Sequence, residues 1–469
     1  MRRQLLRDSL SYGLSSVIPA TTGLLLLPFY TRRLGPDEYG LLDATVALLT
    51  VISTIFVFEI AQGVARMLPE SDSTEGRRRI GSTAFWFTAL MLGVAALALA
   101  IFGPSIAAIG LGDATHGGIV RVSATTLFLG GLHGIAIRHL RWSLRSHRYL
   151  SAVALTNVAT AALGVVLVIE WRPVAEALLW GQAGGYAAGL TLSWHLARGE
   201  LDFTWDSDAL HKMLRFSAPL VASTLGVIAT GQLGRVLLAR FASLDEAGLF
   251  GVAARLAAIL ALLTSGLQLA IGPLIYSAHA KPGTAVELAC TFRIFTAVAL
   301  VGWLLLGAFG PQLVSLLTAP MFAASASLIA PLAAAVLLNT ALTFAPGLEI
   351  RRCTGTLAKV FLMSGALNVA LCLVLIGPLG AFGAAMACLL ATVVQTALVF
   401  RLSNRCYPVP YPWGAISAAV LITLLCHAVI ALLSWPSLIG ILCVVTCCFL
   451  IGWLLLRPLI KHQSPDAPS

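Results

Sequence analysis

The chain has 469 residues, 58% of them hydrophobic and only 11% charged, with a formal net charge of +10 and a mean hydropathy of +0.91. Soluble domains carry about 25% charged residues, and a water-soluble fold of this size could not hide so much apolar surface. Lipid cannot satisfy backbone N–H and C=O groups, so only helices or closed barrels can span it; long apolar runs without period-two alternation select helices.

The chain opens with Met-Arg-Arg-Gln-Leu-Leu-Arg before an apolar run that continues to about Tyr30 without a small-residue cleavage site, so it reads as a retained first helix. A span needs roughly 20 mostly apolar residues. On that rule 14 spans follow, near 9–31, 41–65, 81–103, 119–140, 150–169, 174–197, 214–238, 247–276, 286–309, 325–348, 357–377, 380–400, 413–434 and 438–456. Pro19 and Pro28 interrupt the first span and mark it as a hinge candidate or a static kink; Pro219, Pro273, Pro331 and Pro346 interrupt later ones. Gly181, Gly185 and Gly189 form a small-residue stripe in the sixth span, which signals tight helix packing.

A polar break after the first span repeats 208 positions later. Arg32, Asp37, Glu38, Gly40 and Leu41 match Arg240, Asp245, Glu246, Gly248 and Leu249, and in both copies apolar runs flank the break. The chain therefore divides into an N-terminal lobe, 1–197, a polar linker, 198–211, a C-terminal lobe, 212–402, and a final helix pair with a tail, 403–469.

Orientation follows from where Lys and Arg fall. With the N-terminus in the cytoplasm, 22 of the 30 Lys and Arg residues lie in inside segments, which predicts both termini in the cytoplasm and places both polar breaks outside. The two breaks, with Arg32, Asp37, Glu38, Arg240, Asp245 and Glu246, are then expected to be paired outer-gate elements. The basic charge faces a membrane surface, and no nucleic-acid partner is expected.

Charged groups within a bilayer usually face the protein interior or water. Glu59, Gln62 and Arg66 fall at i, i+3 and i+7 of the second span, predicting one polar stripe on one helical face. Glu59 could bind a proton or cation and Arg66 an anion, or Arg66 could anchor the helix end. Arg255 lies about two turns into the eighth span, where its planar fork suits phosphate oxygens or a structural ion pair. Arg293 and Arg235 are further diphosphate candidates, the first able to snorkel and the second to meet headgroups. Arg138, Arg141, Arg145 and Arg148, spaced 3, 4 and 3, predict a basic stripe at the end of the fourth helix, fit either to gather an anionic headgroup at a cytoplasmic entrance or simply to anchor.

All nine cysteines lie after residue 289, mostly in apolar runs, and read as apolar filler; no metal site and no cofactor is expected. The sequence has no Walker A loop, no Ser/His/Asp arrangement and no paired aspartates on a cytoplasmic domain, which points to transport rather than bond making.

The stretch Leu27-Pro-Phe-Tyr-Thr-Arg-Arg-Leu-Gly-Pro-Asp-Glu-Tyr-Gly-Leu41, with two halves of six spans and a C-terminal pair, resembles the Wzx-type oligosaccharide flippases of the multidrug/oligosaccharidyl-lipid/polysaccharide exporter superfamily. The resemblance implies an all-α polytopic membrane protein with two pseudo-symmetric six-helix lobes and a MATE-like fold. It also implies transport of an undecaprenyl-diphosphate-linked oligosaccharide across the bacterial inner membrane by alternating access without ATP, for surface polysaccharide biosynthesis. Implied partners are the lipid-linked oligosaccharide, membrane lipids, and polysaccharide polymerase and glycosyltransferases. The implied diphosphate contacts are cavity arginines, matched by Arg66, Arg235 and Arg255. The family's seventh helix often ends in Asp-Arg, whereas this chain has Gly234-Arg235. The alternatives are a cation-coupled drug exporter of the same superfamily and a membrane glycosyltransferase or polymerase.

Overall fold

The computed structural model describes residues 2–71, 73–143, 145–198, 201–264, 281, 283–432 and 438–462. The helices are α1 (Arg2–Arg33), α2 (Pro36–Val57), α3 (Ile60–Met67), α4 (Thr74–Gly110), α5 (Gly117–Trp142), α6 (Ser146–Glu170), α7 (Ala175–Leu196), α8 (Ser207–Gly231) and α9 (Leu233–Phe241). They continue with α10 (Leu244–Ala257), α11 (Thr284–Ala308), α12 (Gly310–Leu317), α13 (Ala326–Ala341), α14 (Gly347–Ile350), α15 (Thr354–Cys406), α16 (Trp413–Leu432) and α17 (Leu438–His462).

Among the described residues, 11 helical segments are long and apolar enough to cross a membrane. One of them, α15, merges two spans across a kink where Gly380 takes φ +55°; with it split, and with α1 and α7 added, each of the 14 expected spans corresponds to a helical segment among the described residues. The fold is thus all-α and multi-pass.

Three expected features differ. The first span runs as one α-helix through Pro19 and Pro28, so its prolines do not break it. The second span is broken, because Phe58 and Glu59 both adopt left-handed φ (51° and 52°), ending α2 and starting α3 in a new direction. The seventh span breaks as well, at Gln232, into α8 and α9. Pro273 lies outside the described residues.

By contacts the chain forms two compact units, Met1–Gly251 with Phe361–Ala387, and Val252–Val360 with Cys388–Ser469. In the first unit, the glycine stripe of α7 packs on α6 so closely that a Cβ on Gly181 would lie 2.7 Å from the Gly164 Cα and one on Gly185 2.7 Å from the Thr160 nitrogen. The linker is pinned to α4: the Asp202 and Asp206 N–H groups donate to Ser82 and Thr83 (2.8 and 2.9 Å), Asp202 pairs with Arg78, and Phe203 stacks on Trp86. Asp206 then caps α8 by accepting from Ala209 N–H at 2.9 Å.

The repeat becomes a reciprocal contact within this unit. A Cβ on Gly40 would lie 2.6 Å from the Gly248 nitrogen and 2.9 Å from the Leu244 carbonyl carbon; one on Gly248 would lie 2.9 Å from the Pro36 carbonyl carbon and 3.1 Å from the Gly40 nitrogen. Pro36 and Leu244 are themselves repeat partners, so each copy offers the same surface to the other, as in a two-fold interface. Only glycine lets the two backbones approach this closely. The matching acids play matching parts. Glu38 accepts from the Ala175 N–H at 2.7 Å, at the start of α7, and Glu246 accepts from the Ala381 N–H at 2.7 Å, just past the Gly380 kink. Each carboxylate caps a helix N-terminus, where the orphan amides and the dipole favour negative charge.

In the second unit, Phe292 lies amid Phe295, Phe344, Phe400, Tyr411 and Trp413. The Tyr411 hydroxyl donates to the Phe344 carbonyl, and the Gly347 N–H donates to Ser403 Oγ at 2.8 Å. Gln395 donates to Asn339 Oδ1 at 3.0 Å, joining α15 to α13.

Candidate functional site

The break between α2 and α3 opens onto a cavity of 360 Å³ inside the first unit. Two consecutive left-handed non-glycine residues cost of order 1–3 kcal/mol each, strain that clusters at functional sites. Glu59, the second of them, lines the cavity, so the break turns a half-buried carboxylate into its wall. Thr50, Ser53 and Thr54 of α2 line it above the break; Thr50 and Thr54 are tied to the α2 carbonyls four residues back, at 2.9 Å. Arg138 and Thr126 come from α5, Gln182 and Tyr186 from α7, while Gly130, Gly131 and Gly134 leave a stretch of α5 wall without side chains. The His133 ring stacks beside Tyr186, and its Nε2 meets Thr156 Oγ1 at 3.2 Å, which sets the Tyr186 side of the wall. The result is a pocket with one acid, one guanidinium, an amide, a phenol and several hydroxyls, a donor and acceptor set suited to a polar headgroup rather than to an apolar molecule.

A second polar feature crosses the first unit nearby in sequence. Arg235 Nε lies 2.5 Å from Asp43 Oδ2, with the two side chains only 13% and 11% exposed. The Arg235 guanidinium also reaches the Gly231 carbonyl at 3.2 Å and the Gln232 side chain, and lies over the Phe250 ring at 5.7 Å. The acid that faces Arg235 thus comes from α2. Asp43 and Gly251 are equivalent in the repeat, and a Cβ at Gly251 would meet Asp43 Oδ2 at 2.5 Å, so the second copy's glycine makes room for the first copy's carboxylate.

The predicted residues sort as follows. Glu59 and Arg138 share the cavity. Arg66 does not join Glu59: the break takes Glu59 off the helical face of Gln62 and Arg66, and the exposed Arg66 lies over the Phe216 ring at 4.5 Å. The four-arginine stripe does not form, because α5 ends at Trp142. Arg145 and Arg148 instead donate to the Leu196 carbonyl (3.4 and 3.0 Å), capping the end of α7, whereas the exposed Arg141 stays on α5. Arg235 is taken up by Asp43. In the second unit Arg255 and Arg293 are half-buried in α10 and α11. Of the break residues, Arg32, Asp37, Arg240 and Asp245 are exposed, and Glu38 and Glu246 are the caps described above.

Sequence reasoning passed over Asp43, Gln182, Tyr186 and the hydroxyls of α2. The last were detectable, since Thr50, Ser53 and Thr54 sit at i, i+3 and i+4 in an otherwise apolar helix. Asp43 was not, because only tertiary structure brings it to Arg235.

Discontinuous spanning helices beside a polar cavity are a recurring feature of membrane transporters. The solved structures agree on the fold. The chain is similar to the lipid II flippase MurJ in an inward closed conformation, with a TM-score of 0.74 and 12% identity over 97% of this chain and 100% of that one. It is also similar to an inward-facing multidrug resistance MATE family transporter of the MOP superfamily (TM-score 0.67, 13% identity, covering 84% and 97%) and to the Vibrio cholerae MATE transporter VcmN (0.55, 15%, covering 86% and 97%). No curated protein matches it. The chain belongs to the polysaccharide biosynthesis protein family, whose pattern matches residues 29–301.

Proposed function

We propose that this protein is a flippase that carries an undecaprenyl-diphosphate-linked oligosaccharide from the cytoplasmic to the outer leaflet of the bacterial inner membrane for surface polysaccharide biosynthesis. The observation that carries this reading is the polar cavity behind the α2/α3 break, in a chain of the polysaccharide biosynthesis family. Arg138 supplies the cation for the diphosphate, and Gln182, Tyr186, Thr50, Ser53 and Thr54 supply hydrogen bonds for sugar hydroxyls. Glu59, held at the break, is the ion-coupling group. Arg255 and Arg293 remain diphosphate candidates by sequence, whereas Arg66 and Arg235 are engaged elsewhere and are no longer assigned to it.

In this reading the two repeats form pseudo-symmetric lobes, 1–197 and 212–402, followed by the pair 403–469. Transport needs no bond making, so the protein is a secondary-type transporter and not an enzyme. Both termini are cytoplasmic, which the excess of Lys and Arg in the corresponding segments supports, and the Gly40/Gly248 contact then closes the outer side. Polysaccharide polymerase and glycosyltransferases supply and consume the same lipid-linked substrate. A drug exporter is the second reading, favoured by the MATE-like fold.

Arg138→Ala and Arg255→Ala should each abolish surface polysaccharide at normal protein level. Full polysaccharide in Arg138→Ala would overturn the assignment of the cavity, and drug resistance on expression without any polysaccharide defect would favour the exporter.

A further inference from the structure

Outside the cavity, three of the nine cysteines converge on one point. Cys426 of α16 and Cys443 and Cys447 of α17 point into one seam, with their three Sγ atoms all within 4.8 Å of one another and those of Cys426 and Cys443 3.3 Å apart. Cys443 and Cys447 are spaced i, i+4, which puts both on the face of α17 turned to α16. Cys426 and Cys447 are 2% and 8% exposed, in a core built with Leu304, Ala308, Ile430 and Val444. Three thiols facing one another satisfy each other poorly, since S–H is a weak donor and sulfur a weak acceptor. Packing alone calls for no such convergence.

We propose that Cys426, Cys443 and Cys447 form a three-sulfur site for a soft monovalent metal ion, Cu(I), that clamps α16 to α17. Thiolate ligands select Cu(I) among the common metals. With a metal–sulfur distance of about 2.3 Å, a planar three-sulfur site needs S···S of about 4.0 Å, so the observed spacing requires only small rotamer shifts. Zinc fits less well, because its structural sites are closed by a fourth ligand. The neighbouring His427 does not provide one: its ring nitrogens are not within 4.8 Å of all three sulfurs, and the ring packs at 4.8 Å from that of Trp303. Two thiols give up their protons to solvent as the ion enters, and the third ligates as a neutral thiol. The site then carries one net negative charge, less than two bare thiolates would. The ion joins two helices that are otherwise held together by apolar side chains.

The test uses the full-length protein, purified in detergent under a non-thiol reductant and titrated with Cu(I) against a colorimetric Cu(I) chelator. One equivalent should be retained, and Cys426→Ser, Cys443→Ser and Cys447→Ser should each weaken retention by a hundredfold or more, whereas Cys353→Ser leaves it unchanged. A readout that needs no variant is alkylation mapped by mass spectrometry on the wild-type chain: Cu(I) should protect Cys426, Cys443 and Cys447 from a membrane-permeant maleimide and leave Cys353 reactive. Failure of the wild type to retain Cu(I), retention undiminished in all three serine variants, or uniform alkylation with and without Cu(I) would each overturn the proposal.

Discussion

Replacing Asp43 by Asn keeps the shape of the side chain but removes the charge that faces Arg235. Both partners are close to fully buried, at 11% and 13% exposure, so the remaining guanidinium cannot recover its lost partner from water. Breaking a buried pair from one side costs about 3–5 kcal/mol; because Arg235 keeps the Gly231 carbonyl and Gln232, the lower end applies. Gly251→Ala should act in the same direction without touching either charge, since its Cβ would fall 2.5 Å from the carboxylate. The exposed pair Arg79–Glu75, at 56% and 54% exposure, is the internal control, and Glu75→Gln should cost less than about 1 kcal/mol. The assay is thermal unfolding of detergent-solubilised protein by scanning fluorimetry, run as a double-mutant cycle of Asp43→Asn with Arg235→Gln. The pair predicts a double variant closer to wild type than the sum of the singles, with a coupling of about 0.5–3 kcal/mol. Additive losses, or an Asp43→Asn variant no less stable than Glu75→Gln, would refute the reasoning.

The repeat makes a matched prediction: Glu38→Gln and Glu246→Gln each weaken one helix cap, so each should lower stability by about 0.5–2 kcal/mol, and by similar amounts. A large difference between them in the same unfolding assay would argue against equivalent roles. Tyr411, in the loop between α15 and α16, has its phenol pushed above its ordinary value of 10.0, chiefly by burial and further by Tyr407. A proton held more tightly in the folded chain stabilises it fully below pH 10, and this contribution is lost as pH rises further, because the unfolded chain ionises first. Unfolding temperature should therefore fall above pH 10, and Tyr411→Phe should flatten that fall while losing the hydrogen bond to the Phe344 carbonyl.

Much of the architecture is written in the apolar runs. Span length and composition locate the helices because the bilayer leaves the backbone little choice, and the repeated Gly40 and Gly248 mark where the two copies touch. What sequence periodicity could not reveal was where a helix stops being one. Neither Phe58 nor Glu59 is a residue type that favours positive φ, so nothing local signals the left-handed pair that moves Glu59 into the cavity and leaves Arg66 behind. The arginine stripe failed for the same reason: spacings of 3, 4 and 3 describe one face only while the helix lasts, and α5 ends at Trp142. The Asp43–Arg235 pair and the three-thiol seam each join residues far apart in the chain or on separate helices, which only packing can bring together. Arg138, whose spacing predicts an entrance residue, is the arginine that shares a cavity wall with Glu59.

The central claim is translocation, and it is tested most directly in sealed vesicles reconstituted with the purified protein and an undecaprenyl-diphosphate-linked oligosaccharide placed in one leaflet. Appearance of the sugar in the other leaflet is read with a membrane-impermeant glycosidase or lectin. The account predicts protein-dependent transfer that Arg138→Ala and Glu59→Gln abolish while Cys353→Ser does not. Transfer no faster than in protein-free vesicles, or equal in wild type and Arg138→Ala, would contradict it.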